Sequence, residues 1–265
     1  MKSGKLRAGI FLMSAFLMIA VFTAASCAQT THYYPPQPDS GLPADGGSQS
    51  DGGSSDPADA LWNVITLCIN TSQTDYCECQ PMYKTCCSDT TMPNDEVVWA
   101  LDDDYVAIQG TPQCGCPQDF VSGLVLPRTK ITGIEDPKRP NGIWQFAWDE
   151  AVRKISNQDE IGLTINPVQY RSQNQMHIHI QRITSKTRIW FDDPNEQQRA
   201  ANKYDLVFLD LSDLSKVFTV VKKQVGESEM RDTGVMVVGS SGGNFQAMIT
   251  HRRSPESFVE KKCAK

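Results

Sequence analysis

An α+β domain built on a largely antiparallel sheet is the fold that this 265-residue sequence predicts. Three observations carry the prediction. Between Gly123 and Ile183 the apolar pattern runs strand, helix, strand, loop, strand, an order that suits short connections between strands lying side by side. In residues 141–155 the period lengthens: Ile143, Trp144, Ala147, Trp148, Ala151, Val152 and Ile155 recur at three- and four-residue intervals, the signature of an amphipathic helix. Near the C-terminus, residues 234–238 and 245–250 flank Ser240-Ser241-Gly242-Gly243-Asn244, the composition of a hairpin turn.

In chain order, the N-terminus comes first. Lys2, Lys5 and Arg7 precede an apolar run over residues 9–22, and Ala24-Ala25-Ser26 then leads to Cys27. A charged, then apolar, then small-residue order is that of a secretory signal, and the run is shorter than the ~20 residues of a spanning helix. Small residues directly before a cysteine resemble a lipobox. Residues 1–26 are therefore expected to be a signal of lipoprotein type, with Cys27 lipidated; cleavage after Ala28 is the alternative. Residues 27–59 are rich in Gly, Ser, Asp and Pro and hold few core formers, so they predict a flexible tether from anchor to domain. His32 lies in this tether. The expected location is outside the cytoplasm, in the cell envelope, held to a membrane surface by the anchor.

The folded domain is expected over residues 60–265. With 40% hydrophobic and 21% charged residues, the composition supports a packed core. The net charge of −6 becomes −9 once the three basic residues of the signal are removed, which argues against a nucleic-acid partner. Apart from Cys27 there are eight cysteines: Cys68, Cys77, Cys79, Cys86, Cys87, Cys114, Cys116 and Cys263. An even count in an exported chain predicts a disulfide-stabilised domain. Cys77-Glu78-Cys79 and Cys114-Gly115-Cys116 leave a metal reading open, although structural zinc sites usually space cysteines wider.

Within the domain, Leu61, Val64, Ile65, Cys68 and Ile69 have helical spacing. The Cys-rich stretch to residue 94 is loop-like, and residues 95–109 read as extended segments. Residues 123–127 form a strand stopped by Pro127, which has no N–H for a ladder. The helix of residues 143–155 is expected to begin through Pro140-Asn141. Residues 161–165 predict a strand, Asn166-Pro167 a break, and residues 176–183 a second strand. A helix follows over residues 195–203, with apolar runs at 206–209 and 217–221.

The strand of residues 176–183 carries the chemistry. In Gln175-Met176-His177-Ile178-His179-Ile180, residues two apart share a face, so His177 and His179 point together and Met176, Ile178 and Ile180 point to the core. Spacing alone leaves three readings: surface histidines on an edge strand, a metal-binding pair, or a catalytic pair. No Asp, Glu or Cys stands close in sequence to complete a metal set.

The wider stretch narrows these readings. Residues 123–136, with strand, proline and basic turn, the Trp-containing helix, Gly162-Leu163-Thr164-Ile165-Asn166, and the loop Ser172-Gln173-Asn174 before His177-Ile178-His179 resemble histidine-triad proteins. The export signal, Trp144, Trp148 and the Gln-Asn before the motif resemble their CDP-diacylglycerol pyrophosphatase branch. Likeness extends over about residues 61–263 and is strongest over 124–183. The resemblance implies a histidine-triad-like antiparallel sheet with flanking helices. It also implies a hydrolase that converts CDP-diacylglycerol and water to CMP and phosphatidate through a covalent histidine intermediate.

By position, the resemblance makes His177 the nucleophile and His179 the residue that contacts the scissile phosphate and assists the leaving group. Asn166, Ser172, Gln173, Asn174 and Gln175 become substrate-binding candidates. It calls for no metal or other cofactor. Gln175 stands where these proteins usually have their first histidine. Because the acceptor orienting the nucleophile is generally a backbone carbonyl in them, activity is expected to survive, with Gln175 adding a donor and an acceptor to the polar network. Arg128 and Lys130 are further phosphate-neutralising candidates, and His251 and Arg252 lie on a plausible neighbouring strand. Two alternatives stay open: a pyrophosphatase for soluble nucleotides, and a catalytically silent lipoprotein that binds nucleotide or anionic lipid.

Overall fold

A computed structural model describes residues 56–70, 98–110, 120–240 and 243–260. The export segment, Cys27, residues 28–55 of the tether and every cysteine but Cys68 lie outside the described residues. The chain is α+β, as its pattern predicts. Eight strands form one sheet: β1 (Val98–Leu101), β2 (Tyr105–Gln109), β3 (Ser122–Pro127), β4 (Ile161–Ile165), β5 (Ile178–Arg182), β6 (Leu206–Leu211), β7 (Thr233–Gly239) and β8 (Phe245–His251). Their spatial order is β1-β2-β3-β5-β4-β7-β8-β6, and every neighbouring pair is antiparallel.

Strand alternation then divides the side chains between two faces. On one face Val125, Ile178, Ile180, Leu163, Val235, Val237, Ala247 and Ile249 pack beneath helix α2 (Ile143–Lys154). Trp144 sits at its centre, fully buried and edge-on to Phe218 at 5.5 Å between ring centroids. Full burial of one such large apolar side chain is worth about 1.5–3 kcal/mol, and this face holds the largest cluster.

Two clusters of helices cover the ends of the other face. Over β2 and β3, helix α1 (Ala60–Val64) and the π-helical turn after it (Ile65–Ile69) bury Leu61, Val64, Ile65 and Ile69 against Val106, Ile108 and Leu126. Over β7, β8 and β6, helices α3 (Ser185–Asp192) and α4 (Pro194–Tyr204) place Trp190, Phe191 and Ala200 against Met236, Val238, Met248 and Phe258. Between these clusters β5 and β4 present His179, Gln181, Gly162 and Thr164. The segment after β8 lies over these central strands, with Val259 against Gly162.

Several boundaries differ from the expectation. Pro57–Asp59 already forms a helical turn whose backbone is bonded by the loop before β5, so the folded unit reaches back past residue 60. α2 begins at Ile143, the first of the periodic residues, after a turn at Asn141-Gly142. α3 was not expected; Thr184 caps it by accepting from the Thr187 N–H at 3.1 Å. A single residue, Asp193, separates it from α4, where it caps the Asn195 N–H with Pro194 in the first turn. Of the two apolar runs, residues 206–209 enter β6, whereas residues 217–221 start helix α5 (Val217–Val225), which buries Val217, Phe218 and Val221. The β7–β8 pair forms over seven registered residues, and Gly243 takes φ +78° beside the turn, a conformation that costs glycine little. Among the described residues no helix is long and apolar enough to cross a membrane.

Candidate functional site

β5 starts at Ile178, two residues later than the sequence pattern predicts. The Met176 N–H is drawn off to the Ile131 carbonyl at 2.6 Å, so the chain joins the ladder only afterwards. One consequence is chemical. The Gln175 carbonyl faces no strand partner and instead lies 2.8 Å from Nδ1 of His177. A backbone carbonyl can only accept, so Nδ1 carries the proton and Nε2 keeps its lone pair.

The two imidazoles share a face, as the spacing predicts, with ring centroids 4.8 Å apart and an interplanar angle of 68°. Met176, Ile178 and Ile180 occupy the opposite, core side. His177 is only 8% exposed. Burial is the main cause that lowers its pKa to about 4, and His179 and Arg171 add to the effect. The Gln175 carbonyl and Glu256 act in the opposite direction. Burial likewise lowers His179 to about 4. Both rings are neutral at pH 7, the form a nitrogen nucleophile requires.

Asn166, just past the end of β4, lines a small cavity with His177, Arg171, Gly133, Ile165, Gln175 and Met176. His179 is outside that lining but meets Asn166 through Glu256. Its Nε2 lies 3.2 Å from Glu256 Oε1, out of line for a hydrogen bond. The same carboxylate accepts from Asn166 Nδ2, while Ser254 Oγ donates to Asn166 Oδ1 at 2.7 Å.

The other sequence candidates have different tasks. Gln175 is fully buried and clamps the turn after β3: Nε2 donates to the Pro127 and Thr129 carbonyls, each at 2.8 Å, and Oε1 accepts from Ile131 at 3.3 Å. Gln173 accepts from the Leu61 N–H at 2.9 Å and donates to the Pro57 carbonyl at 3.1 Å. The Asn174 N–H donates to Ala58 at 2.6 Å. Two of the three residues from the expected phosphate loop thus tie down the N-terminal segment, and Ser172 is exposed. Arg128 bonds Asn70 and the Asp102 carbonyl, and Lys130 lies 4.0 Å from Asp59 and over the Trp62 ring. His251 is exposed at the end of β8, which is not a neighbour of β5, and Arg252 pairs with Asp232 at 3.1 Å.

Sequence reasoning missed Arg171, Glu256 and Ser254. Arg171 is nearly buried, its guanidinium held by both oxygens of Glu135 at 2.6 and 2.8 Å. It passes so close to Gly133 that an added Cβ would stand 1.8 Å from Nη1, which is why glycine suits that position. Arg171 thus brings a guanidinium, paired with Glu135, to the cavity that His177 lines. Its signal in the sequence was its place one residue before the loop Ser172-Gln173-Asn174. Glu256 and Ser254 gave none, since about 75 residues separate them from the histidines and only the β7–β8 return brings them back. Among the described residues no group of three or more His, Cys, Asp or Glu is arranged to hold a metal.

The lowered histidine pKa has a measurable consequence. The ring of His177, followed by NMR, should titrate near pH 4 rather than near the ~6.5 of an ordinary imidazole. Stability should follow the same group. Its folded pKa lies below its unfolded one, so its contribution is complete above about pH 6.5 and is lost as pH falls towards about 4. A ring titration with its midpoint at 6.5 would contradict the buried, neutral ring.

The family described as CDP-diacylglycerol pyrophosphatase matches residues 56–261. A Mycobacterium leprae (strain TN) protein named "Probable CDP-diacylglycerol pyrophosphatase" is 27% identical over 195 residues, covering 69% of this chain. The chain spans 59% of that relative's length.

Proposed function

This chain belongs to the CDP-diacylglycerol pyrophosphatase family, and on that premise we propose that it hydrolyses the phosphoanhydride of CDP-diacylglycerol, releasing CMP and phosphatidate. His177 attacks a phosphorus through Nε2 and forms a covalent histidine intermediate, which water then cleaves. The observation that carries this reading is the 2.8 Å contact between His177 Nδ1 and the Gln175 carbonyl, which fixes the tautomer and aims the other nitrogen away from the turn. Arg171 and Asn166 line the same cavity, where a positive charge and an amide donor would stabilise charge developing on the phosphoryl oxygens. His179, beside His177, assists the leaving group.

The histidine-triad likeness belongs to the same proposal, supported by the antiparallel placement of β5 against β4 and by Asn166 at the end of β4. So does disulfide stapling, which the burial of Cys68 supports. Export and a lipid anchor on Cys27 complete the reading, because a tethered domain reaches a bilayer-embedded substrate without spanning the bilayer. Replacing Cys27 with alanine should move the protein from the membrane fraction to the soluble envelope fraction and abolish incorporation of labelled fatty acid. Unchanged membrane retention and labelling would remove the anchor from the proposal.

The activity itself is tested with the full chain and CDP-diacylglycerol in mixed micelles, with CMP and phosphatidate assayed together. An ADP-sugar serves as the soluble comparison substrate. Equimolar release of the two products, with the lipid substrate preferred, is expected. Turnover of the soluble substrate alone would replace the lipid hydrolase with a soluble-nucleotide pyrophosphatase. Binding without turnover of either would leave a silent binding protein.

A further inference from the structure

The chemistry assigned to His177 and His179 leaves one charged group beside them without a task. Glu256 follows Ser254-Pro255 in the chain segment after β8, and its carboxylate lies against both His179 and Asn166. A site that only bound an anionic phosphate would gain nothing from a carboxylate there, because like charges repel. The position is nevertheless firmly built. Ser254 Oγ accepts from the Glu256 N–H at 3.2 Å while donating to Asn166. On the other side, Phe258 packs into the cluster beneath α3 and α4, its carbonyl accepts from Thr187 Oγ1 at 2.6 Å, and Val259 bridges to Ile183. The segment therefore holds Glu256 in place from both ends.

We propose that Glu256 is a further catalytic residue, the general base for the water that cleaves the histidine-bound intermediate. This inference rests on the assignment of His177 as the nucleophile. Oε1 is occupied by Asn166 Nδ2 and stands 3.2 Å from His179 Nε2. Oε2 has no hydrogen bond among the described residues, and the side chain is 30% exposed, so water reaches it. The water oxygen attacks the phosphorus as the bond from phosphorus to His177 Nε2 breaks. The electron pair of that bond returns to Nε2, and one water proton passes to Glu256 and from there to solvent. The other proton leaves with the product phosphate. The first half-reaction, attack by a neutral imidazole, needs no base and so does not need Glu256.

The test is rapid mixing of the full chain with CDP-diacylglycerol, following the first product and the intact protein mass. In Glu256→Gln the burst of about one equivalent of first product should persist. Steady-state turnover should fall about 10²- to 10⁴-fold, and the protein should accumulate a covalent adduct that is absent from Glu256→Gln combined with His177→Ala. Turnover of Glu256→Gln at or above the wild-type rate would overturn the proposal, the faster result marking the carboxylate as a plug. Loss of the burst together with turnover, in a variant that melts like wild type, would overturn it too. If the amide variant fails to fold, Glu256→Asp decides: a persistent burst with slowed turnover supports the role, and a wild-type rate or a lost burst ends it. Absence of products from the wild-type chain would instead remove the hydrolase reading, and this inference with it.

Discussion

Replacing His177 with alanine should lower CDP-diacylglycerol turnover by at least about 10⁴-fold, as loss of a covalent nucleophile does when the remaining binding groups stay in place. The fold should survive. His177 precedes the β5 ladder, so no strand pairing depends on it, and its removal leaves chiefly the Gln175 carbonyl without its partner. One unsatisfied buried acceptor costs about 1–3 kcal/mol. His179→Ala should be milder, nearer 10²-fold, because the leaving-group assistance proposed for it contributes less than the bond-forming atom. The measurement is steady-state turnover with circular dichroism as the fold control, and mass spectrometry of the trapped adduct. A His177→Ala protein that turns over as wild type would end the nucleophile assignment, and an adduct mapped to His179 would exchange the two roles.

Replacing Gln175 with alanine should produce a large effect of the opposite kind, a loss of stability with chemistry largely intact. The side chain is fully buried and makes three hydrogen bonds to the backbone of residues 127, 129 and 131. Deleting it leaves two carbonyls and one N–H unpaired, a cost on the order of 3–5 kcal/mol once partial relaxation is allowed. At about 2–4 °C per kcal/mol for a domain of this size, Tm should drop by roughly 10 °C. The orienting acceptor of His177 is the Gln175 backbone carbonyl, which alanine retains, so kcat measured well below the transition should change little. An unchanged Tm would show that the clamp carries no stability. A lost kcat in the folded variant would restore Gln175 to the substrate-binding set.

Much of the fold was legible because local patterns and tertiary needs agree. The α2 stripe ending at Ile155, the β4 and β5 alternation and the β7–β8 turn each state one period unambiguously, and each element forms close to its expected place. Short apolar runs did not. Residues 206–209 and 217–221 look alike in sequence, and only the packing of Val217, Phe218 and Val221 against the core makes the second helical. α3 was missed for a similar reason: it has eight residues, with Ile189 exposed and Trp190 and Phe191 adjacent, so its apolar face shows no clean repeat.

The sequence by itself determined the pairing of His177 with His179. Side chains two apart on an extended chain share a face whatever lies around them, and the alternating isoleucines decide which face is the core. Asn166 was legible as a polar residue at a strand end. The tertiary structure alone decided what each polar neighbour does. The Gln173 side chain and the Asn174 N–H hold the N-terminal segment, and the Gln175 side chain holds the turn after β3, because buried backbone there needs hydrogen-bond partners. Arg171 and Glu256 entered the site because the fold carries a loop and a distant C-terminal segment to the same end of β4 and β5. Contacts made across such separations leave no periodicity in the chain, and so only the folded sheet assembles them.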